Sequence, residues 1–249
     1  MKRFRLGKFR LLALCLVVVG GLSACGYLVS VPSLRNADNN EIVNIGDSIF
    51  ALSGDIYDDL EAKAGETWRH YAVSGTQMIG GILGPPIPTQ YQIARNDDPD
   101  IRVVYMDGGG NDILLQAIMG DPYGCKRCNY WWCGDISRTC KGVIEDVAVE
   151  TSNLLNRMAA DGVEQVVVLG YYHTTWGIFG DLTKLKKAAD YGAALSIAGI
   201  PNTNANAVYV DPRNAFSGHE GRYITIDGIH PTAAGSAVLA NMIWNVIDY

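Results

Sequence analysis

Three short segments of this 249-residue chain combine residue types that can do chemistry together. Gly46-Asp47-Ser48-Ile49 places a serine directly after an apolar run. Between a strand and a helix, such a hydroxyl is exposed and the first helical N–H groups lack intrahelical acceptors, a setting suited to a nucleophile. A serine that merely caps a helix fits the same tetrapeptide. In Gly109-Gly110-Asn111-Asp112 the glycines permit close backbone approach and Asn111 offers side-chain N–H donors, although a simple turn reads the same way. In Asp227-Gly228-Ile229-His230-Pro231 an aspartate stands three residues before a histidine. It can accept the imidazole Nδ1–H and leave Nε2 as a base. The three segments supply a nucleophile, an oxyanion donor and an oriented base.

The elements that must position them follow from hydropathy. Strands are predicted at Glu41–Ile45, Trp68–Val73, Ile101–Met106, Val163–Leu169 and Ala207–Val210. Helical spacing marks Ile56–Ala64, a long segment through Val143, Ile144, Val147, Leu154, Leu155 and Met158, then Leu182–Ala198 and Ala233–Ile247. Gly80–Pro88 reads as a loop. Alternating helices and unbroken apolar strands mean an α/β chain with a parallel sheet covered on both faces, in three layers. Ligands in such folds sit at the carboxyl ends of the strands, where the three segments lie.

In this order and at these separations, Gly46-Asp47-Ser48-Ile49, Gly75, Gly109-x-Asn111-Asp112 and Asp227-x-x-His230-Pro231 resemble the successive blocks of the SGNH, or GDSL-type, hydrolases. The resemblance spans residues 41–249 and departs from the pattern at Ile49, where leucine is usual. It implies a flavodoxin-like sandwich and a serine esterase or acylhydrolase working through an acyl-enzyme. In that reading Ser48 attacks, His230 is the base and Asp227 orients it, with Ser48 N–H, Gly75 N–H and the Asn111 side chain forming the oxyanion hole. No cofactor or metal is implied. The substrate would be a lipid acyl ester or a carbohydrate O-acyl ester. An envelope lipoprotein using the same fold as a binding or assembly module is the alternative.

Charge and cysteines bear on location. Lys and Arg total 20 and Asp and Glu 26, a net charge of −6. Lys2, Arg3, Arg5, Lys8 and Arg10 precede the apolar run Leu11–Leu22, the pattern of a secretory signal over residues 1–24. Leu22-Ser23-Ala24-Cys25 resembles the bacterial lipobox, which implies lipidation of Cys25, a tether over residues 25–40, and an outer-membrane protein facing the periplasm. Without residues 1–24 the body carries 15 basic and 26 acidic residues, net −11, which argues against nucleic acid as a partner. Export favours disulfides among Cys125, Cys128, Cys133 and Cys140, within a Cys-rich insertion at 120–140; a compact zinc site is the alternative. Asn129-Tyr130-Trp131-Trp132 either covers those disulfides or contacts sugar or lipid. His70 reads as structural. His173 and Trp176 line a substrate pocket or simply pack, and His219 lacks a second histidine at metal spacing.

Overall fold

The computed structural model describes residues 33–52, 54–81, 83–127 and 132–249. The signal segment, Cys25, Cys128 and Asn129–Trp131 lie outside the described residues. The central strands are short: β1 (Asn39–Ile45), β2 (Trp68–His70), β3 (Val103–Met106), β4 (Gln165–Leu169) and β7 (Ala207–Val210), with β3, β4 and the second half of β1 mainly apolar on both faces. They pair in parallel in the order β2-β1-β3-β4-β7. With the side-chain period of two, Ile42, Val103, Tyr105, Val167 and Leu169 face one layer, and Val43, Val104, Met106, Val166 and Val168 the other.

The first layer is closed by α2 (Asp55–Ala64) and α9 (Ala233–Trp244), through Ile56, Leu60, Leu239 and Ile243. The second is closed by α3 (Ile87–Asp97) and α5 (Arg138–Ala160), through Ile87, Tyr91, Leu154 and Met158. This is the three-layer α/β sandwich that the apolar strands predict. Asn44 is the buried polar residue of β1; its amide donates to Tyr105 O at 3.0 Å and its carbonyl oxygen accepts from Tyr57 Oη at 2.8 Å. Both needs are met, so its burial carries no orphan.

Several elements differ from the sequence expectation. Helix α3 starts inside the stretch read as a loop, because Pro88 sits in the first turn where a missing N–H costs nothing. A further helix, α4 (Gly110–Ile118), begins within the glycine run after β3. The predicted helix at Leu182–Ala198 is a 3-10 turn, Leu182–Leu185, followed by α6 (Lys186–Gly199). The hairpin of β5 (Trp176–Gly177) and β6 (Gly180–Asp181) is too short to show a period. Packing also begins before residue 41: β1 opens at Asn39, and Leu34 bridges His70.

In the insertion Cys125 and Cys140 form a disulfide, and Cys133 is disulfide-bonded as well. Bonded thiols are not metal ligands, so the described cysteines follow the disulfide reading rather than zinc. Cys125, Ile136 and Cys140 form a small core with Ile144, Leu182, Leu185 and Ile229. The insertion is thereby fastened to α5 and to the residue before His230. The Cys125–Cys140 bond closes a separation of 15 residues. Replacing both with serine should lower stability by about 3 kcal/mol, measured by urea unfolding with and without reductant.

Candidate active site

Ser48 opens α1 (Ser48–Ala51), one short helical turn at the end of β1. Asp47 caps that turn, its Oδ1 accepting from Ile49 N at 3.0 Å. Its Oδ2 accepts from Tyr171 Oη at 2.7 Å, and its backbone N–H donates to Asp107 Oδ1 at 2.6 Å. Asp107 stands at the end of β3, and its carboxyl packs so closely on Gly46 that a Cβ there would overlap Oδ1. Only glycine fits. The Gly46 peptide is gripped from the other layer by Gln90 on α3, which accepts from Gly46 N at 2.8 Å and donates to Gly46 O at 3.0 Å. Thr76 Oγ1 donates to the same carbonyl at 3.0 Å. The serine turn is therefore held by β3, α3 and the loop after β2.

The histidine lies on the loop before α9. Its Nδ1 is 2.6 Å from Asp227 Oδ2. Asp227 Oδ1 accepts from Thr225 Oγ1, Ile229 N and His230 N at 2.6, 2.8 and 3.0 Å. Burial pushes the Asp227 carboxyl up, but the His230 contact and these hydrogen bonds outweigh it and hold the pKa at about 2. Asp227 and His230 are 1% and 7% exposed. The β5–β6 hairpin covers this loop; a Cβ at Gly177 would overlap the Asp227 carbonyl. His230 Nε2 is buried and has no hydrogen-bond partner, so the Ser48–His230 hydrogen bond is not formed in this structure. Catalytic hydrogen bonds of this kind are often open until substrate binds.

Ser48, Asn111 and Ile229 line one cavity of about 150 Å³. Asn111, on the first turn of α4, donates one amide hydrogen to Thr76 O at 2.9 Å, which fixes the side chain and leaves its second hydrogen for another acceptor. Gly75 lies in the loop after β2 with φ 78°, beside Thr76, and is not among the cavity-lining residues. Asp112 lies in the first turn of α4 but its side chain does not cap that helix. It accepts from Met78 N at 2.8 Å and Ile79 N at 2.9 Å, bolting the Gly75 loop to α4, and burial raises its pKa to about 6.

The other histidines lie elsewhere. His70 is buried and stacked on Tyr57, with ring centroids 3.8 Å apart, and burial lowers its pKa to about 4. His173 does not line the cavity; its Nε2 is 2.7 Å from Asp190 Oδ1 on α6. Trp176 projects from the hairpin, 73% exposed, and His219 is exposed near Tyr223. Sequence reasoning missed Asp107, Gln90, Thr76 and Tyr171. Of these, only Asp107 carried a signal, as the acidic residue ending an apolar strand.

Two outcomes follow from this geometry. Gln90→Leu strands the buried Gly46 N–H and should cost about 1–3 kcal/mol, read by chemical denaturation. Asp227 has a folded pKa of about 2 against a reference of 3.8, so its ionised form stabilises the fold above pH 3.8. That contribution disappears as the pH falls through about 2. The stability gap between wild type and Asp227→Asn should accordingly be full at pH 7 and close as the pH approaches 2.

The sequence matches no family model and no curated protein. Solved structures do match. A lipase from a goat rumen metagenome aligns with a TM-score of 0.59 at 15% identity, over 82% of this chain and 95% of that one. A catalytic mutant of an acetylxylan esterase from Geobacillus stearothermophilus aligns at 0.58 and 15%, over 87% and 97%. A GDSL-like lipase from Bacteroides thetaiotaomicron aligns at 0.52 and 14%, over 85% and 90%. The five-stranded parallel sandwich of this chain is thus the SGNH hydrolase fold.

Proposed function

We propose that this protein is a serine hydrolase of carboxylic esters, with Ser48 as nucleophile, His230 as general base and Asp227 as the residue that orients the imidazole. The observation that carries the reading is the Asp227–His230 pair. A buried carboxylate held at about pKa 2 fixes the Nδ1–H tautomer, which leaves Nε2, buried and without a partner, as a proton acceptor.

In the first step Ser48 Oγ attacks the ester carbonyl as its proton passes to His230 Nε2. The imidazolium, stabilised by Asp227, then protonates the departing alkoxide. The developing oxyanion would take the free Asn111 amide hydrogen and the N–H groups of Ser48 and Gly75. Loss of one such donor typically costs about 10²–10³ in turnover. Water, deprotonated by His230, releases the acyl group from Ser48. The solved structures that share the fold include lipases and acetylxylan esterases, which supports ester hydrolysis as the reaction class.

Attachment to a membrane through a lipidated Cys25, on the periplasmic side of a bacterial outer membrane, belongs to the same proposal and rests on the Leu22–Cys25 resemblance. Among the described residues no helix is long and apolar enough to cross a membrane.

Ser48→Ala should abolish release of p-nitrophenol from short-chain esters while leaving the unfolding curve in place. A fluorophosphonate should label wild type at Ser48. A protein that takes no label and hydrolyses no ester would be a binding module with this fold.

A further inference from the structure

The cavity that begins at Ser48 does not stay at the strand ends. It runs between α5 and α6, beneath the sheet edge formed by β4 and β7. Helix α5 faces it with Ile144, Val147 and Thr151, spaced three and four residues apart on one face. Helix α6 faces it with Ala188, Gly192 and Ala193, whose short side chains leave the gap open.

Beyond Ser48 and Asn111 the lining is mainly apolar, and apart from the Tyr209 and Ser196 hydroxyls its side-chain polar groups are already engaged. Thr151 Oγ1 donates to Val147 O at 2.8 Å, and Thr174 Oγ1 to Leu182 O at 2.8 Å. Tyr171 Oη is spent on Asp47 and Tyr172 Oη on Ile229 O, at 2.7 and 2.6 Å. A sugar placed here would lose its water and gain only those two hydroxyls as partners for its own. A hydrocarbon chain loses nothing.

We propose that this channel receives the acyl chain of the substrate, so that the enzyme selects linear esters of medium chain length over acetyl esters. The inference rests on the serine-hydrolase reading above and deepens it. With the ester carbonyl at Ser48 and Asn111, the acyl chain continues past Gly109 and Gly110 into the space between the helices, and the alcohol portion stays outside. An apolar cavity of about 150 Å³ takes a guest the size of benzene, about six carbons. Each buried methylene is worth about a fourfold gain in kcat/KM until that space is filled.

A panel of p-nitrophenyl esters from acetyl to dodecanoyl, given to the full-length protein and to two channel variants, tests this. Gly192→Leu adds bulk where a Cβ would meet only Ile144 Cγ2, at 3.5 Å, so the backbone need not move. Ala189→Leu fills the same space from the preceding turn. In wild type, kcat/KM should rise at least about tenfold from acetyl to hexanoyl or octanoyl and gain nothing beyond. In the variants the hexanoyl-to-acetyl ratio should fall by about the same factor, a quantity that a general loss of folded enzyme leaves unchanged. Calorimetry of octanoate with Ser48→Ala should show binding that Gly192→Leu in the same background removes. A flat chain-length profile, or ratios unmoved in both variants, would overturn the channel assignment while leaving the hydrolase standing. Failure to hydrolyse any ester or take a fluorophosphonate would instead remove the hydrolase reading, with octanoate binding still deciding whether the channel holds an acyl chain.

Discussion

The site depends on one short contact, the Asp47 N–H donated to Asp107 Oδ1 at 2.6 Å. It joins the ends of β1 and β3, neighbouring parallel strands whose registers pair Ile45 with Met106. Two strands ending side by side bring the next residues of each within reach, so Asp107 meets the serine turn without a detour of chain. The contact has two requirements. Residue 46 must have no side chain, and the Asp107 carboxyl must stay buried with Oδ2 unpartnered. Burial and the nearby Asp47 carboxylate push the Asp107 pKa well up, which favours the neutral acid. A neutral carboxyl can hold the turn without adding a negative charge beside Ser48.

The parallel topology explains why so many distant segments converge. Each strand delivers its following loop to the same edge: Ser48 after β1, Gly75 after β2, Asn111 after β3, Tyr171 after β4. Asp227 and His230 come from the connection between β7 and α9. Backbone hydrogen bonds from Thr175 N to Gly228 O at 2.8 Å and Ile178 N to Ile226 O at 3.2 Å tie that connection to the hairpin after β4. The disulfide-bearing insertion packs against Ile229. The loop carrying His230 is thus braced on two sides, by the hairpin and by the insertion.

What the sequence made legible follows this division between local and distant. The central strands stood out because burial on both faces leaves unbroken apolar runs. Asp227 and His230 stood out because three residues of separation suffice to make their hydrogen bond. Gln90 did not: its role is a contact across 44 residues, made from a helix whose prolines imitate a loop. Tyr171 reaches Asp47 across 124 residues. The cavity between α5 and α6 was equally hidden. Alanine and glycine on α6 read as ordinary helix and weak helix former, and only the packing of α5 opposite them turns small side chains into space.

The carboxylates around the site divide by environment into different tasks. Asp227 accepts four hydrogen bonds, one from the imidazole, and remains ionised to about pH 2. Asp112 accepts two backbone N–H groups, and burial still raises it to about 6, so near neutrality it is an anion held in place by amides. Asp107 is pushed well up, because its burial is complete and its neighbour is another acid. Burial and hydrogen bonding thus act on the three carboxyls in different proportions. In the mechanism proposed above, that separation would let Asp227 support the imidazolium while Asp107 adds no charge of its own beside the oxyanion.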